Sequence, residues 1–476
     1  MSLTSALNYA FSGLRSNSLA AALVSTNISN ATTESYGKRD LILNSGHGGG
    51  VWIDGVSRLI DPALVTDRRQ SDAELAYSQN MFSFVKNLEE SMGTSGEPGS
   101  FMYRIEAFEN ALVSASSNPA STQRLDVVAS SAEDLAKSLN SLSAQVQDVR
   151  SKADGTIAAQ VKQINSAMLH LEHMNKVLGR ERSTGSELTN VLDERDKLID
   201  SVAHIVPLRV IEGEKGQVTI YSKGGAILLE GSASEIGFSP SAVVRPGDSL
   251  AGGQLSGLTL NGISAHGDYF TGGSLQAQFD IRDSEAVTRQ AELDAIARDL
   301  IERLGAGGPD ASLASGDPGL FTDAGNAFDP LNEQGLSERI ALNTIVSPGS
   351  GGAWRLRDGL GATVSGEVGN SSLILALSEA LGAPKLPGSS ALSPVERSFG
   401  MHASEVVSSL AGTRVRAENE QSFQAARNTG LKETLLARGV DTDLELQRLL
   451  QVEQLYTANA KVMTTVDAMY ERLLQI

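Results

Sequence analysis

The sequence contains no cysteine, which removes disulfide bridges, thiolate metal sites and cysteine nucleophiles together. Aromatic residues make up only 5% of the 476 positions while glycine occurs 47 times, so the cores must be lean and aliphatic in a chain long enough for roughly two to four domains. Basic residues are scarce: 39 Lys and Arg against 57 Asp and Glu leave a formal charge of -18, with no basic run longer than Lys38-Arg39 or Arg68-Arg69. That balance argues against a nucleic-acid or anionic-membrane partner, since both reward clustered cations. No apolar run reaches transmembrane length. The N-terminus lacks the basic start and unbroken apolar stretch of a secretory signal, being interrupted by Asn8, Ser12, Asn17 and Ser18. No G-x-S-x-G elbow, phosphate-binding G-x-x-x-x-G-K-[ST] or Rossmann glycine fingerprint occurs.

What the chain does have is a pair of matching ends. Leu449, Val452, Tyr456, Asn459, Met463, Val466, Tyr470 and Leu473 step by three and four, the spacing of a helix that seats a partner helix. Leu3, Leu7, Ala10, Leu14, Asn17, Ala21, Val24 and Ile28 repeat that alternation at the other end. Each seam carries one Asn, a residue that fixes register at some cost in stability. The two ends are therefore expected to pair. The first helix has one charge, Arg15, before residue 34, and is expected to order only when packed among copies of itself, and to be frayed or disordered in isolation. Asn27 to Thr32 then supply capping and turn residues.

Between the ends the pattern is mostly helical. Short strand-like pieces over 41–59 flank a glycine-rich loop. A helix ends at Gly93, a second runs through Phe101, Ile105, Phe108 and Leu112, and Asn118-Pro119 opens a third. The third carries a heptad from Leu125 to Ala153 that restarts one residue late at Ile157, so a disturbance is expected at Gly155. After a helix over 187–206, alternation at Val218 to Tyr221, a Gly224-Gly225 turn and Ala226 to Leu229 predict a hairpin. A helix is expected over 283–304, and Ser393-Pro394-x-Glu396 reads as a later helix start.

Three constellations invite a chemical reading. His47-Gly48-Gly49-Gly50 resembles an oxyanion loop, which would make the chain a hydrolase, but without a nucleophile elbow it reads as a connecting loop. His170 and His173 lie one turn apart without a third ligand, and read as a solvated helix face. Asp193, Glu194, Arg195 and Asp196 spread around a helix and read as a solvated charged turn. No catalytic residue, metal ligand or cofactor is expected, and the chain is read as not being an enzyme.

The fold class expected is mainly α with a β-rich insert: paired terminal coiled-coil helices with an adjoining β/loop segment (1–65 and 431–476), a long-helix body (66–206 and 351–430) and an inserted β-containing outer domain (207–350). The opening Met1-Ser2-Leu3, Ser12-Gly13-Leu14, and Thr26 to Thr32 leading into Tyr36 resemble the amino-terminal motif of flagellar rod, hook and hook-associated proteins, with Glu34-Ser35 where Pro-Gly is usual. Val191 to Ile199, Gly272-Gly273-Ser274-Leu275 leading to Asp280-Ile281-Arg282-Asp283, and Gly439 to Asp443 resemble the hook-associated family of the hook–filament junction. The interval 305–387 is shorter than in long members. The resemblance implies a secreted structural component of the extracellular flagellum, exported unfolded through the flagellar type III apparatus and self-associating into a ring between hook and filament. The implied partners are the hook protein, a second junction protein, and a cytoplasmic export chaperone of the FlgN type that takes the C-terminal helix. The alternative within the class is another axial protein of hook or filament. On this reading the assembly interface comprises Leu3, Leu7, Leu14, Val24 and Ile28 of the first helix with Leu449, Val452, Tyr456, Met463, Val466, Tyr470 and Leu473 of the last.

Overall fold

A computed structural model describes residues 2–33, 35–46, 49–94, 96–180, 186–213 and 216–475. The first helix, α1 (Leu3–Ser29), is capped by the Ser2 hydroxyl, which accepts from the Ser5 amide. It leads to an antiparallel hairpin of β1 (Lys38–Ser45) and β2 (Val51–Leu59), with a register shift between Ile42 and Leu43. Four helices follow: α2 (Pro62–Met92), α3 (Phe101–Ser117), α4 (Thr122–Arg180) and α5 (Ser186–Ala203). Asp61 caps α2 with a proline in its first turn, and Gly93 ends it at positive φ, the N-terminal Pro and C-terminal Gly asymmetry of an isolated helix.

The β-rich stretch forms two small sheets. One joins β3 (Leu208–Glu212), β4 (Val218–Ser222), β5 (Ile227–Glu230) and β6 (Ser232–Ala233); the other joins β7 (Ile236–Gly237), β8 (Thr259–Leu260) and β9 (Ile263–Ser264). The chain then runs through α6 (Gly273–Asp280), a π-helical turn (Ile281–Glu285) and α7 (Ala286–Arg303). A two-stranded pair of β10 (Phe321–Asp323) and β11 (Ile340–Leu342) encloses the short α8 (Leu336–Arg339), followed by α9 (Arg355–Asp358) and α10 (Ser372–Gly382). The chain closes with α11 (Phe399–Arg438) and α12 (Thr442–Leu474).

Two hydrophobic cores share α4. Leu125 to Ala153 of its first half pack with the end of α2, α3, α7, α10 and the start of α11. Ile157 to Met174 of its second half pack with Ile199 and Val202 of α5, Ile220 of β4, Leu228 and Leu229 of β5, and Leu275 of α6. Gly155 lies between the two sets, and α4 passes through it without a break, contrary to the disturbance expected there. A glycine costs a helix about 1 kcal/mol, and burial on both sides outweighs that.

Residues 207–350 do not all pack together. The stretch up to Leu275 joins the second core, whereas Ile281, α7, β10 and β11 belong to the first. The late helix start also differs from expectation: Ser398, not Ser393, caps α11, because the Ser393 hydroxyl is held by Glu405.

Candidate functional site

The two ends of the chain lie side by side and antiparallel. The Thr4 hydroxyl meets the Tyr470 hydroxyl at 2.8 Å, the Asn27 amide nitrogen donates to Glu445 Oε2 at 3.0 Å, and a Cβ on Gly13 would lie 2.7 Å from Asn459 Nδ2. The register thus keeps residue numbers summing to nearly the same value along the pair. Gly13 lets the Asn459 amide sit against the α1 backbone, which gives that seam Asn a seat.

The seam residues are unequally covered. Val24 and Val466 are buried; Leu3, Leu7, Leu14, Ile28, Leu449, Val452, Met463 and Tyr470 are half-buried. Tyr456 and Leu473 are 46% and 58% exposed, so they do not complete the intramolecular contact. Beside them Leu455, Val462 and Met469, seven residues apart, are each about half exposed, and Phe11 on α1 is 61% exposed. The pair therefore carries a second apolar stripe that nothing in one chain covers.

Below the pair, the turn after α1 is organised by Asn27. Its Oδ1 accepts from the Arg39 amide (3.0 Å) and the Tyr36 hydroxyl (2.8 Å), and its Nδ2 donates to the Arg39 carbonyl as well as to Glu445. Glu445 is fully buried and also receives Lys38 Nζ at 2.9 Å. Burial pushes the Glu445 carboxyl up, but Asn27, Lys38 and Arg448 outweigh it and hold the group below the usual carboxylate range. Asn27 thus ties α1, β1 and α12 at one point, which gives a physical reason for the motif around it.

The hairpin meets the body on α5. Arg39 reaches Asp193 at 2.7 Å and Asn190 at 2.8 Å, and Arg58 reaches Asp193 and Asp196 at 2.6 Å each. From the body, Arg68 and Arg69 reach Asp200 at 2.7 and 2.6 Å. Burial pushes the Asp200 carboxyl up, and Arg69, Arg68 and the Ser35 hydroxyl together bring it below the usual range. Of the charged run Asp193 to Asp196 on α5, Glu194 alone is exposed; Asp193, Arg195 and Asp196 are not solvated as their sequence suggested. Asp193, Asp196 and Asp200 fall at spacings of three and four, so they line one face, and Arg195, 3% exposed, turns to Asp196 and Glu212. The only sequence signal for this network was the pair of basic doublets, Lys38-Arg39 and Arg68-Arg69.

A second buried charge set marks the point where α4 passes between cores. Arg282, in the π turn, bonds Asp154 at 2.5 Å and Asp283 at 2.8 Å and lies against the Phe279 and Phe238 rings. Arg150 is fully buried and spends its guanidinium on the carbonyls of Arg282, Arg245 and Asp248. Gly273, at φ +73°, brings the chain within reach of Ile205: a Cβ there would lie 2.2 Å from that carbonyl oxygen. At the other linker, Asp441 caps α12 by accepting from the Asp443 and Leu444 amides.

His170 and His173 are both exposed. His47 and Gly48 of the glycine-rich loop lie outside the described residues, while Gly49 and Gly50 pack on Tyr9. Among the described residues no group of three or more His, Asp or Glu side chains is arranged to hold a metal ion, and no helix is long and apolar enough to cross a membrane.

Residues 85–308 match the family described as flagellar hook-associated protein FlgK helical domain, and residues 434–476 match the flagellar basal body rod FlgEFG protein C-terminal family. These matches, with the helical architecture and paired ends, make the chain similar to structural proteins of the flagellar axis. Within that class the chain is similar to flagellar hook-associated protein 1. It is 26% identical to that of Salmonella typhimurium over 248 residues, covering 49% of this chain and 44% of that one. It is 23% identical to that of Escherichia coli K12 over the whole of both chains, and 22% identical to that of Bacillus subtilis over 46% of each. The chain thus spans less than half the length of the Salmonella relative. A solved flagellar hook junction protein FlgK from Burkholderia pseudomallei aligns with 54% of this chain and 46% of its own, at 18% identity and a TM-score of 0.43.

Proposed function

We propose that this chain is a structural component of the bacterial flagellum, assembling outside the cell as a ring in the junction zone that connects hook to filament. The observation that carries the reading is the antiparallel α1–α12 pair, which leaves one apolar stripe uncovered while standing on a FlgK-like helical body. A stripe of this kind, repeated around an axis by heterologous contacts, builds a tube. In that tube the terminal pair lines the inner wall, the long helices form the next shell, and the small sheets face outward. The subunit's acidic surface keeps it soluble before assembly.

The partners in this reading are further copies of the chain, the hook protein and a second junction protein. Before export, a small helical chaperone covers α12, whose apolar face otherwise invites self-association. No step of this function needs a catalytic group. Cells lacking the gene are expected to carry hooks without filaments, with filaments restored by the intact chain; filaments of normal length on such cells sink the proposal. Deleting residues 441–476 is expected to abolish chaperone binding by calorimetry while the body stays folded, and unchanged affinity removes α12 from that site.

A further inference from the structure

The sequence holds one Asn-Gly step, Asn261-Gly262, the pairing in which the next residue's backbone nitrogen reaches a side-chain amide with no side chain of its own in the way. The structure places it at the tip of the β8–β9 hairpin. Both residues are exposed and both take positive φ, +52° and +80°, as a two-residue type I′ turn requires. A Cβ on Gly262 would meet nothing within 4 Å. The flanking strands are two residues long, and Ile263 is 74% exposed. Exposure and sequence together make this amide the chain's most vulnerable, yet the fold holds its polar atoms. Asn261 Oδ1 accepts from the Glu235 amide at 2.9 Å, Nδ2 donates to the Ser234 hydroxyl at 3.3 Å, and the Asn261 backbone amide donates to the Glu235 carbonyl at 2.8 Å.

We propose that Asn261 is a deamidation site gated by folding: its amide is kept while these three bonds stand and lost when the chain is unfolded. The reaction consumes water and releases ammonia. The Gly262 nitrogen gives its proton to a solvent base and attacks Asn261 Cγ; the Cγ–Nδ2 bond breaks, and the nitrogen leaves as ammonia with a proton from solvent. Water then opens the cyclic imide. Opening at the side-chain carbonyl leaves aspartate, and opening at the main-chain carbonyl leaves isoaspartate, in which the chain runs through the side chain. Within the turn, Cγ must first leave Ser234 and Glu235 to face Gly262, so the hairpin has to open. A reaction that proceeds through local opening is slowed by the opening equilibrium, tenfold for about 1.4 kcal/mol. Isoaspartate adds an atom to the main chain and cannot keep Thr259 paired with Ser264 and Leu260 with Ile263. Asn261 therefore records the time a chain spends unfolded, and a chain converted to isoaspartate does not rebuild this hairpin.

The inference concerns the chain's own chemistry and stands apart from where it assembles. The full-length chain is incubated folded and in guanidinium chloride at one mildly alkaline pH, and its peptides are followed by mass spectrometry for conversion of amide to acid. In denaturant Asn261 is expected to convert before every other asparagine, the Asn-Ser steps at Asn17, Asn44, Asn140, Asn165 and Asn370 included. In the folded chain its conversion is expected to be at least tenfold slower, an opening free energy of about 1.4 kcal/mol or more. Chains aged in denaturant and refolded are expected to lose amide-exchange protection over 235–264 in proportion to their isoaspartate content, with the protection of α4 unchanged. Conversion of Asn261 as fast in the folded chain as in the unfolded one overturns the gate, and another asparagine leading in denaturant overturns the site. Full protection over 235–264 in an isoaspartate-containing chain overturns the loss of the hairpin.

Discussion

Lys38 and Glu445 offer the sharpest test of how the two chain ends are held to the hairpin. The Glu445 side chain has no exposed surface, and Lys38 is 11% exposed. Removing one member of a buried pair typically costs about 3–5 kcal/mol. Lys38 can swing its ammonium to water on a flexible stem, so Glu445→Gln is expected to cost less, about 2 kcal/mol. Lys38→Met leaves the carboxylate buried with Asn27 and with Arg448 at 3.5 Å, and about 2–3 kcal/mol is expected. The double variant is expected to cost less than the sum, with a coupling of about 1–2 kcal/mol. Amide hydrogen exchange over 27–45 and 442–452 reads the local opening free energy directly. Because the Glu445 carboxyl is depressed in the fold, its contribution is full above the ordinary carboxylate pKa and disappears as pH falls through the lowered value. The coupling should therefore vanish in acid. Additive single variants at neutral pH, within about 0.3–0.5 kcal/mol, would refute the reasoning.

Val466→Asp places a carboxylate against α1 at a cost of several kcal/mol, and is expected to prevent filament assembly in a null strain while the thermal melt of the body is unchanged; Leu14→Asp should do the same more weakly. Glu292 is pushed up to about 7 by burial, against the opposing pull of Arg289, so the stability it lends is full below about pH 4.5 and lost as pH rises through 7; Glu292→Gln should flatten the melting temperature between pH 5 and 8. Gly273→Ala forces a side chain onto the Ile205 carbonyl at positive φ, and urea melts should show a loss of about 2–4 kcal/mol.

The sequence announced its helices more clearly than its joints. The seams at Leu3 to Ile28 and Leu449 to Leu473 could be read because burial imposes a three–four period on a helix wherever it meets another. The partner was legible too, since both seams had the same length. Asp193 and Asp196 were not: a charged helical turn has the same spacing whether it faces water or four arginines, and two of those arginines lie on the two strands of a hairpin more than 130 residues away. Arg150 hid for the same reason, since a buried guanidinium satisfied by carbonyls needs no acidic neighbour in sequence, and Arg282, although it follows the sequence pattern of a solvated Arg-Asp pair, is bound to Asp154, 128 residues away. Ser393-Pro394 carried a good start signal that lost to Ser398, because a local preference yields when tertiary contacts claim the hydroxyl. The resemblance, by contrast, rested on motifs that coincide with joints: Asn27, Asp193 and Asp196 within Val191 to Ile199, Gly273 to Arg282, and Asp441.

The undivided run of α4 has a mechanical meaning. At 1.5 Å per residue its 59 residues reach about 90 Å, and sliding one core past the other requires breaking backbone hydrogen bonds between Arg150 and Ile157. Arg150, Asp154 and Arg282 act there as a weld. If the chain joins one tube to the next as proposed, such a strut stores little elastic energy along its length, and compliance is left to the slender end where the chain crosses from body to terminal helices.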